Sequence, residues 1–327
     1  MKKILKIFLI ILILIIAVLF GARLYFRLPV SDYYKNSEKA FKIPGLSEGF
    51  VPQGLAYSEE KGVFLITGYM KDGSACPIYV INADGTYNKG VYLKDKDGNP
   101  VHPHAGGIEI WKDYVYVADS NNLCLNVFNY SDIEKANEKD FVIKVGDFST
   151  KSENDEVSVA CMTVHDNQLI VAEFYRAENY ETKLSHRFKT TAGDDNTAIA
   201  AVYELSEDEE YGINRKPIGA ISLPGLVQGI TYHDNKIYIS TSYSTAFSHI
   251  YSYDEEKSKR DKTMTLLDTE VPLMELDSSS LINDMKIAPM SEEIVFYNNE
   301  MYTMCESASM KYIFGNLTGA RYCYKTR

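Results

Sequence analysis

Residues Val227–Tyr253 read VQGITYHDNKIYISTSYSTAFSHIYSY, and this stretch decides the fold. Short alternating runs rich in β-branched and aromatic residues lie at Gly229–Tyr232, Ile237–Ser240 and Ile250–Tyr253, as is typical of β-strands. The polar segment His233–Lys236 separates the first two runs and predicts a tight turn. The stretch therefore predicts three consecutive antiparallel strands.

The same unit recurs along the chain, about 50 to 70 residues apart. Copies of its first strand begin at Gln53–Tyr57, Gly106–Ile110, Ala160–Val164, Gln228–Tyr232 and Glu292–Phe296. A fourth predicted strand precedes the next copy, as at Gly219–Leu226 and Met285–Met290. Four short strands per repeat of this length are typical of a β-propeller blade. We therefore predict an all-β protein with a single propeller of five four-stranded blades. Six blades are possible if a long repeat hides a degenerate blade, and a β-sandwich is the alternative fold.

The two ends of the propeller region complement each other. Ala40–Leu46 matches the fourth strand of a blade but lies ahead of the first full copy. In the last copy, Tyr312–Phe314 is the predicted third strand, and the chain runs out after Tyr322–Tyr324. The N-terminal strand is therefore expected to complete the last blade and to close the ring, which leaves only short, protected sheet edges.

The N-terminal segment predicts a membrane anchor. Ile7–Gly21 carries no charge and follows Lys2, Lys3 and Lys6. A cleaved signal peptide is the alternative, but Phe20 is bulky where a small residue is expected, and Arg23 follows closely. We predict a single transmembrane helix in residues 1–30 and a propeller domain in residues 31–327. The N-terminal lysines favour a cytoplasmic start, which would place the propeller on the extracellular side of the cell membrane.

Charge and cysteine content argue against a nucleic-acid partner and against a zinc site. The net charge is −11, and the basic N-terminal segment makes the remainder more acidic still. Such a surface repels phosphate backbones, so a nucleic-acid partner is not expected. The chain has five cysteines and no CxxC spacing, which does not support a zinc site. We expect them to be small packing residues rather than a disulfide framework.

Polar residues of several blades are expected to meet at one mouth of the propeller channel. In this fold the connections from fourth to first strand and from second to third strand lie on the same face. We predict that this face binds a small molecule, a glycan or an envelope protein. The ligand-binding candidates are Gln53, His102, His104, Asp119, Glu173, Tyr175, Gln228, Ser242 and Glu292.

Two features of that face suggest chemistry. His102 and His104 flank a proline ahead of Gly106 and Gly107. They are metal ligands, an acid–base pair, or simply turn residues that cap backbone groups or face solvent. Asp119 and Glu173 occupy the same repeat position, where carboxylates facing a channel could hold a divalent cation such as calcium. Alternatively, each caps a turn in its own blade.

The candidate metal ligands are Asp119, Glu173 and His104, and the candidate catalytic residues are His104, Glu173 and Glu306. A locally basic insertion, residues 176–198, is either a lid that recruits an anionic substrate or sugar acid, or, as we favour, a mobile surface loop. The sequence contains no GxSxG elbow and no phosphate-binding glycine loop.

The strand entry Pro52-Gln53-Gly54-Leu55-Ala56-Tyr57 resembles those of bacterial NHL-type and gluconolactonase-like propellers. The resemblance covers the blade pattern over most of residues 40–324 and implies the propeller fold. In gluconolactonase-like enzymes a metal-binding Glu is expected at the position of Gln53, so this ligand does not carry over. Glu292 stands at the equivalent place in the last blade. A binding propeller is the favoured hypothesis, and a metal-dependent lactonase or hydrolase is the alternative.

Overall fold

The computed structural model describes residues 2–312 and 314–327. The chain begins with helix α1, Lys2–Arg27, which continues through a 3-10 turn at Leu28–Val30 into helix α2, Ser31–Lys35. Strand β1, Ser37–Lys42, follows. The apolar part of α1 is long enough to cross a membrane, and its most apolar stretch is not buried by the rest of the protein. This helix therefore stands apart from the β-domain for most of its length.

Blades 1 and 2 follow the predicted order. Blade 1 consists of β2 Phe50–Ser58, β3 Val63–Met70, β4 Pro77–Asn82 and β5 Tyr87–Lys94. Blade 2 consists of β6 Ile108–Trp111, β7 Tyr114–Asp119, β8 Cys124–Asn129 and, after helix α3 Tyr130–Lys135 and β9 Phe141–Ile143, strand β10 Gly146–Ser149. Strand β9 pairs in parallel with β5, so the connection inside blade 2 extends the outer edge of blade 1.

Blades 3 and 4 carry the two long connections. Blade 3 consists of β11 Cys161–His165, β12 Gln168–Ala172, β15 Ala198–Leu205 and β16 Ile213–Leu223, with a small hairpin of β13 Phe188–Lys189 and β14 Asp195–Asn196 inside the insertion. Blade 4 consists of β17 Val227–His233, β18 Lys236–Thr241, β19 Ser248–Asp254 and β22 Leu281–Ile287. Between β19 and β22, the hairpin of β20 Lys259–Leu266 and β21 Thr269–Glu275 crosses to blade 3, where β21 pairs in parallel with β16.

Blade 5 closes the ring as the sequence predicted. It consists of β23 Ser291–Tyr297, β24 Glu300–Cys305, β25 Tyr322–Thr326 and β1. Strand β1 pairs antiparallel with β25 from Ser37 with Thr326 to Lys42 with Tyr322. In the part of the chain that the structure describes there are five blades, which confirms the all-β propeller.

The predicted third strand of blade 5 was wrong. That strand is β25, whereas Tyr312 and Phe314 lie in turns before helix α4, Gly315–Thr318, and Ile313 lies outside the described residues. Tyr312–Phe314 has the composition of a strand, but the pairing partner of β24 comes later in the chain. The connection from β24 to β25 is therefore longer than predicted, and it lies on the mouth face.

Apolar side chains fill the spaces between neighbouring blades. Phe41, Phe64 and Tyr302 pack together where blade 5 meets blade 1, and Tyr116 and Tyr203 are buried where blade 2 meets blade 3. The five cysteines are buried free thiols. Burial raises the pKa of Cys76 to about 11, as expected of a packing residue rather than a reactive thiol.

The five inner strands surround an axis that is closed by a carboxylate. Each inner strand lies beside the inner strands of two neighbouring blades. Glu293 of β23 crosses the axis and accepts backbone N–H hydrogen bonds from Leu55 at 2.8 Å, Ile108 at 3.1 Å and Met162 at 2.9 Å. Burial raises the pKa of Glu293, and the three N–H donors oppose that effect. One side chain on blade 5 therefore ties together the inner strands of blades 1, 2 and 3.

Glycines at the repeated anchor position permit this close approach. A Cβ on Gly107 would lie 2.8 Å from Glu293 Oε1 and 2.9 Å from Cys161 Cα. A Cβ on Gly54 would lie 2.8 Å from the backbone nitrogen of Ile108. Larger residues would push the inner strands apart, so the sequence repeat Gly54, Gly107 and Gly229 reflects the narrow axis.

Candidate functional site

Irregularities at the strand entries turn selected side chains toward the mouth. The pairing register shifts between Pro52 and Gly54 in β2, between Val227 and Gly229 in β17, and between Ser291 and Ile294 in β23. An extra residue in one strand re-aims the side chains around it, and such bulges are common beside binding sites. Gln53, Gln228 and Glu292 are the residues at these bulges. In β23 the bulge is also what allows two consecutive glutamates, Glu292 and Glu293, to be buried.

Glu292 is the most unusual of these side chains. It is 1% exposed, and among the described residues its Oε2 atom has no hydrogen-bond partner. Burial raises its pKa well above the usual range, and the nearby carboxyl groups of Glu306 and Glu293 raise it further. These effects favour the protonated form of Glu292, and one of its polar atoms is unsatisfied.

Glu306 lies beside Glu292, just past the end of β24. The hydroxyl groups of Tyr69 and Tyr312 both donate to its Oε1 atom, at 2.8 Å and 2.6 Å. Burial and the Glu306 carboxylate raise the pKa of both tyrosines, which keeps them as donors. Lys311 contacts the Tyr69 hydroxyl and lies over the Tyr69 ring at 4.8 Å from its centre. Two phenols thus hold one carboxylate, and an ammonium group lies against one of these phenols.

His104 completes this group from the connection between blades 1 and 2. Its ring centre lies 4.9 Å from that of Tyr69. Desolvation by the surrounding protein lowers the pKa of His104, with the Glu306 carboxylate opposing, so the imidazole is neutral at pH 7 although part of the ring remains exposed. We use the name mouth cluster for six residues that come from blade 5, from blade 1 and from the connection leading to blade 2: Tyr69, His104, Glu292, Glu306, Lys311 and Tyr312.

The other predicted site residues lie outside the mouth cluster. His102 is exposed and its Nδ1 atom lies 3.0 Å from the Pro100 carbonyl oxygen. Asp119 caps the turn that follows its own strand, because it accepts hydrogen bonds from the backbone and side chain of Asn122 and from the side chain of Asn126. The buried Gln53 donates to the Pro52 carbonyl oxygen at 3.1 Å. Asp119 thus follows the turn-capping alternative.

Tyr175 and Ser242 have structural contacts where blade 3 meets blade 4. The Tyr175 carbonyl oxygen accepts a hydrogen bond from the Leu226 amide, and the Ser242 amide donates to the Leu226 carbonyl oxygen. Arg187 lies 4.7 Å from the centre of the Tyr175 ring. Gln228 is half-buried beside Gly229. None of these three contacts involves a member of the mouth cluster.

Glu173 belongs to a buried charged triad. Both of its carboxylate oxygens lie 3.1 Å from His186 Nδ1, and His186 Nε2 lies 3.2 Å from an Asp155 oxygen. Asp155 also accepts a hydrogen bond from the Leu267 amide of the β20–β21 turn. Although burial opposes it, bonding to Asp155 and Glu173 raises the pKa of His186 to about 9. The triad fixes the insertion and the blade-4 hairpin to blades 2 and 3.

The predicted metal ligands do not meet. Asp119 is used by its own turn, Glu173 by His186, and His104 lies beside Tyr69. Across residues 2–312 and 314–327, no three His, Cys, Asp or Glu side chains form a group that could hold a metal ion. The residue at the position implied by the gluconolactonase-like resemblance is an amide, Gln53. The residues present therefore do not fit a metal site of the gluconolactonase-like kind.

Lys311 and Tyr312 were not predicted as site residues. Tyr312 was assigned to the predicted strand Tyr312–Phe314, and Lys311 directly precedes it. The partners of Glu173 were not predicted either, since His186 comes from the insertion and Asp155 from the connection ahead of β11. A usable signal was present for Tyr312: a tyrosine six residues after Glu306, within a connection that reaches the mouth face.

Comparisons with known proteins find only distant structural similarities. No protein-family model and no curated protein matches the chain. Among solved structures, the PQQ-bound aldose sugar dehydrogenase of Streptomyces coelicolor is similar with a TM-score of 0.46 and 10% identity, covering 88% of this chain and 95% of that one. A gluconolactonase of Xanthomonas campestris is similar with a TM-score of 0.41 and 9% identity, covering 85% of each chain. The glutaminyl cyclase of Myxococcus xanthus has a TM-score of 0.42 at 10% identity, covering 85% and 89%. The five blades themselves confirm the predicted fold-level resemblance to propellers, and no activity follows from these similarities.

Proposed function

We propose that this protein is a membrane-anchored binding propeller whose mouth cluster takes a small polar ligand. In this proposal, residues 1–30 form the anchor and residues 31–327 the propeller, on the extracellular side. The ligand presents hydrogen-bond donors, as an amine or a sugar hydroxyl does. The observation that carries the proposal is the buried Oε2 atom of Glu292, which has no partner among the described residues.

The physical argument concerns the cost of that atom. An unpaired buried polar group costs about 1–3 kcal/mol, which a ligand donor would recover on binding. The neighbouring Glu306 carboxylate, the phenols of Tyr69 and Tyr312 and the exposed edge of His104 offer acceptors, donors and an aromatic surface around the same point. A few convergent polar groups of this kind are typical of small-molecule sites.

The test is a thermal-shift screen of the full chain in detergent against amines and mono- and oligosaccharides. A true ligand raises the Tm of the wild-type protein and of E204Q, which changes an exposed glutamate on blade 3. The ligand binds E292Q at least about tenfold more weakly, because the side-chain amide cannot release a proton and cannot accept hydrogen bonds at both terminal atoms. A ligand that binds E292Q as well as wild type would contradict the assignment of the site.

A hydrolase is the second candidate, and one observation favours it. Burial favours the protonated form of Glu292 beside Glu306, which two phenols hydrogen-bond, and carboxyl groups in unequal environments can divide acid and base roles. This version needs no metal. Turnover of a lactone or glycoside by the wild-type chain, lost in E292Q and in E306Q but kept in E204Q, would support it over binding alone.

A further inference from the structure

The end of helix α1 rests on the mouth face of the propeller. The Tyr25 ring lies 6.0 Å from that of Phe247, and Phe26 stacks on Phe314 at 5.5 Å. Phe247 belongs to the connection from second to third strand in blade 4, and Phe314 to the same connection in blade 5. That second connection also carries Glu306. The helix therefore leaves the propeller from the face that holds the mouth cluster.

Polar contacts hold the end of the helix in place. Arg27 Nη1 donates to the Thr318 carbonyl oxygen at 3.3 Å, and the guanidinium lies 3.5 Å from the centre of the Tyr34 ring. The Tyr34 hydroxyl also donates to the Thr318 carbonyl oxygen, at 2.7 Å. These contacts replace a flexible linker between anchor and propeller, so the direction of the helix determines which face of the propeller approaches the bilayer.

The membrane surface is expected near Tyr25 and Phe26. Side chains along the preceding part of the helix are exposed, for example Ile4 at 73% and Leu14 at 59%, as lipid-facing residues would be. Tyrosines and basic residues such as Arg23 and Arg27 are typical of the boundary between hydrocarbon and water. Because Phe247 and Phe314 touch the residues at this boundary, the mouth face lies next to it.

A continuous surface extends from the helix around the mouth face to the insertion of blade 3. Lys286 lies 4.5 Å from the centre of the Phe247 ring, and Arg176 lies 4.0 Å from that of Tyr243 in the same blade-4 connection. Phe174 contacts both Tyr243 and Tyr180, with ring centres 6.5 Å and 5.3 Å apart. At the far end, Tyr180 is 57% exposed and Leu184 is 80% exposed.

We propose that this surface, which we call the membrane rim, lies on the bilayer that α1 spans. It consists of Arg176, Tyr180, Leu184, Tyr243 and Phe247. Aromatic rings with adjacent cations suit the interfacial layer, and an exposed leucine suits its apolar edge. Glu178 and Glu181 lie on the same insertion, so aromatic and apolar contact, rather than net charge, carries the inference. The inference rests on the proposed anchor and adds an orientation to it: the mouth faces the membrane.

The test uses tryptophan reporters in the full chain, reconstituted into phosphatidylcholine vesicles with or without bromine on the acyl chains. Y180W reports on the membrane rim. The matched control Y87W replaces a tyrosine, 48% exposed, at the start of β5 in blade 1, outside the blade-3 insertion and the blade-4 connection that carry the membrane rim. L14W reports on the anchor. The native Trp111 is buried at the end of β6 and gives the same background in every variant.

Brominated lipid is expected to quench Y180W to at least about twice the extent seen in Y87W, and L14W most strongly, because bromine quenches only at close range in the bilayer. If L14W is quenched while Y180W behaves like Y87W, the membrane rim is wrong and the anchor stands. If L14W is not quenched, the anchor fails and the orientation fails with it. Ligand binding at the mouth cluster is measured separately and survives either result.

Discussion

The Glu293 carboxylate of blade 5 accepts a hydrogen bond from the Met162 backbone amide of blade 3 at 2.9 Å. Leu55 and Ile108 donate to its other oxygen. E293A leaves three buried N–H groups unpaired at about 1–3 kcal/mol each, so we expect the free energy of unfolding to fall by at least about 3 kcal/mol. Chemical denaturation of the full chain in detergent measures this. The exposed-site control E204A should change stability by less than about 0.5 kcal/mol, and an equal effect of both variants would contradict the role of Glu293.

Glycine substitutions test the narrow axis. In G107A the new methyl group would lie 2.8 Å from Glu293 Oε1 and 2.9 Å from Cys161 Cα, so we expect a loss of about 1–3 kcal/mol. In the control G219A the nearest atom is 3.6 Å away, on Val202, and the change should be neutral or slightly stabilising. The Tm of each variant is compared with that of the wild type, and only G107A should show a lower Tm. Equal tolerance of both would mean that the inner strands are farther apart than described.

The His186 triad predicts a loss of stability in mild alkali. The pKa of His186 is raised from an ordinary 6.5 to about 9, so its contribution is fully present below about pH 6.5 and is lost as the pH rises through about 9. The contribution at stake is about 3 kcal/mol, as an order of magnitude. Unfolding free energies between pH 6 and pH 10 should fall more steeply for wild type than for H186Q.

The exposed His102 supplies the control for that experiment. H102Q should keep the wild-type pH dependence, since His102 has no carboxylate partner in the described contacts. Parallel curves for wild type and H186Q would show that the triad does not stabilise the fold through the charged imidazolium.

A disulfide between the first and last strands tests ring closure. Ser37 and Thr326 are paired residues of β1 and β25, and their side-chain oxygens lie 2.7 Å apart. S37C/T326C should oxidise within one chain and raise the unfolding free energy by about 2–4 kcal/mol. Non-reducing electrophoresis and Tm measurements check this, with S37C alone as the control. Failure to cross-link, or cross-linking between chains, would place β1 elsewhere.

The propeller fold was predictable because strands and tight turns leave local patterns in the sequence. Alternating strands such as Ile237–Ser240, and turns such as Asp234-Asn235 with positive φ at both residues, leave a period-two signal in the sequence. The match of Ala40–Leu46 to other fourth strands predicted closure for the same reason. Tyr312–Phe314 carried the same local signal but no partner strand, and a pattern within one segment does not reveal which strand it will meet.

The site was predictable only in part because its causes are not local. In the structure His104 and Glu292 both lie near Glu306 on the mouth face, and their role in a site stays a prediction. Asp119 and Glu173 occupy equivalent repeat positions, yet one is held by Asn122 in its own turn and the other by His186 from an insertion that the other blades lack. Glu293 directly follows Glu292, but the bulge in β23 turns it across the axis. The repeat position of a residue predicts where its backbone lies in the blade. The contacts of its side chain depend on neighbouring residues that the repeat does not reveal.

The pairing of Ser37–Lys42 with Tyr322–Thr326 has a consequence for biogenesis. Among the strands of the propeller, β1 is made first and its partner β25 is made last. Until Tyr322–Thr326 has been synthesised, β1 lacks this partner and blade 5 stays open. Contacts between such distant residues form slowly, and an unpaired strand edge invites association with other chains. Folding of this protein should therefore depend on helpers that shield an unfinished ring, and premature termination ahead of Tyr322 should be as damaging as loss of a whole blade.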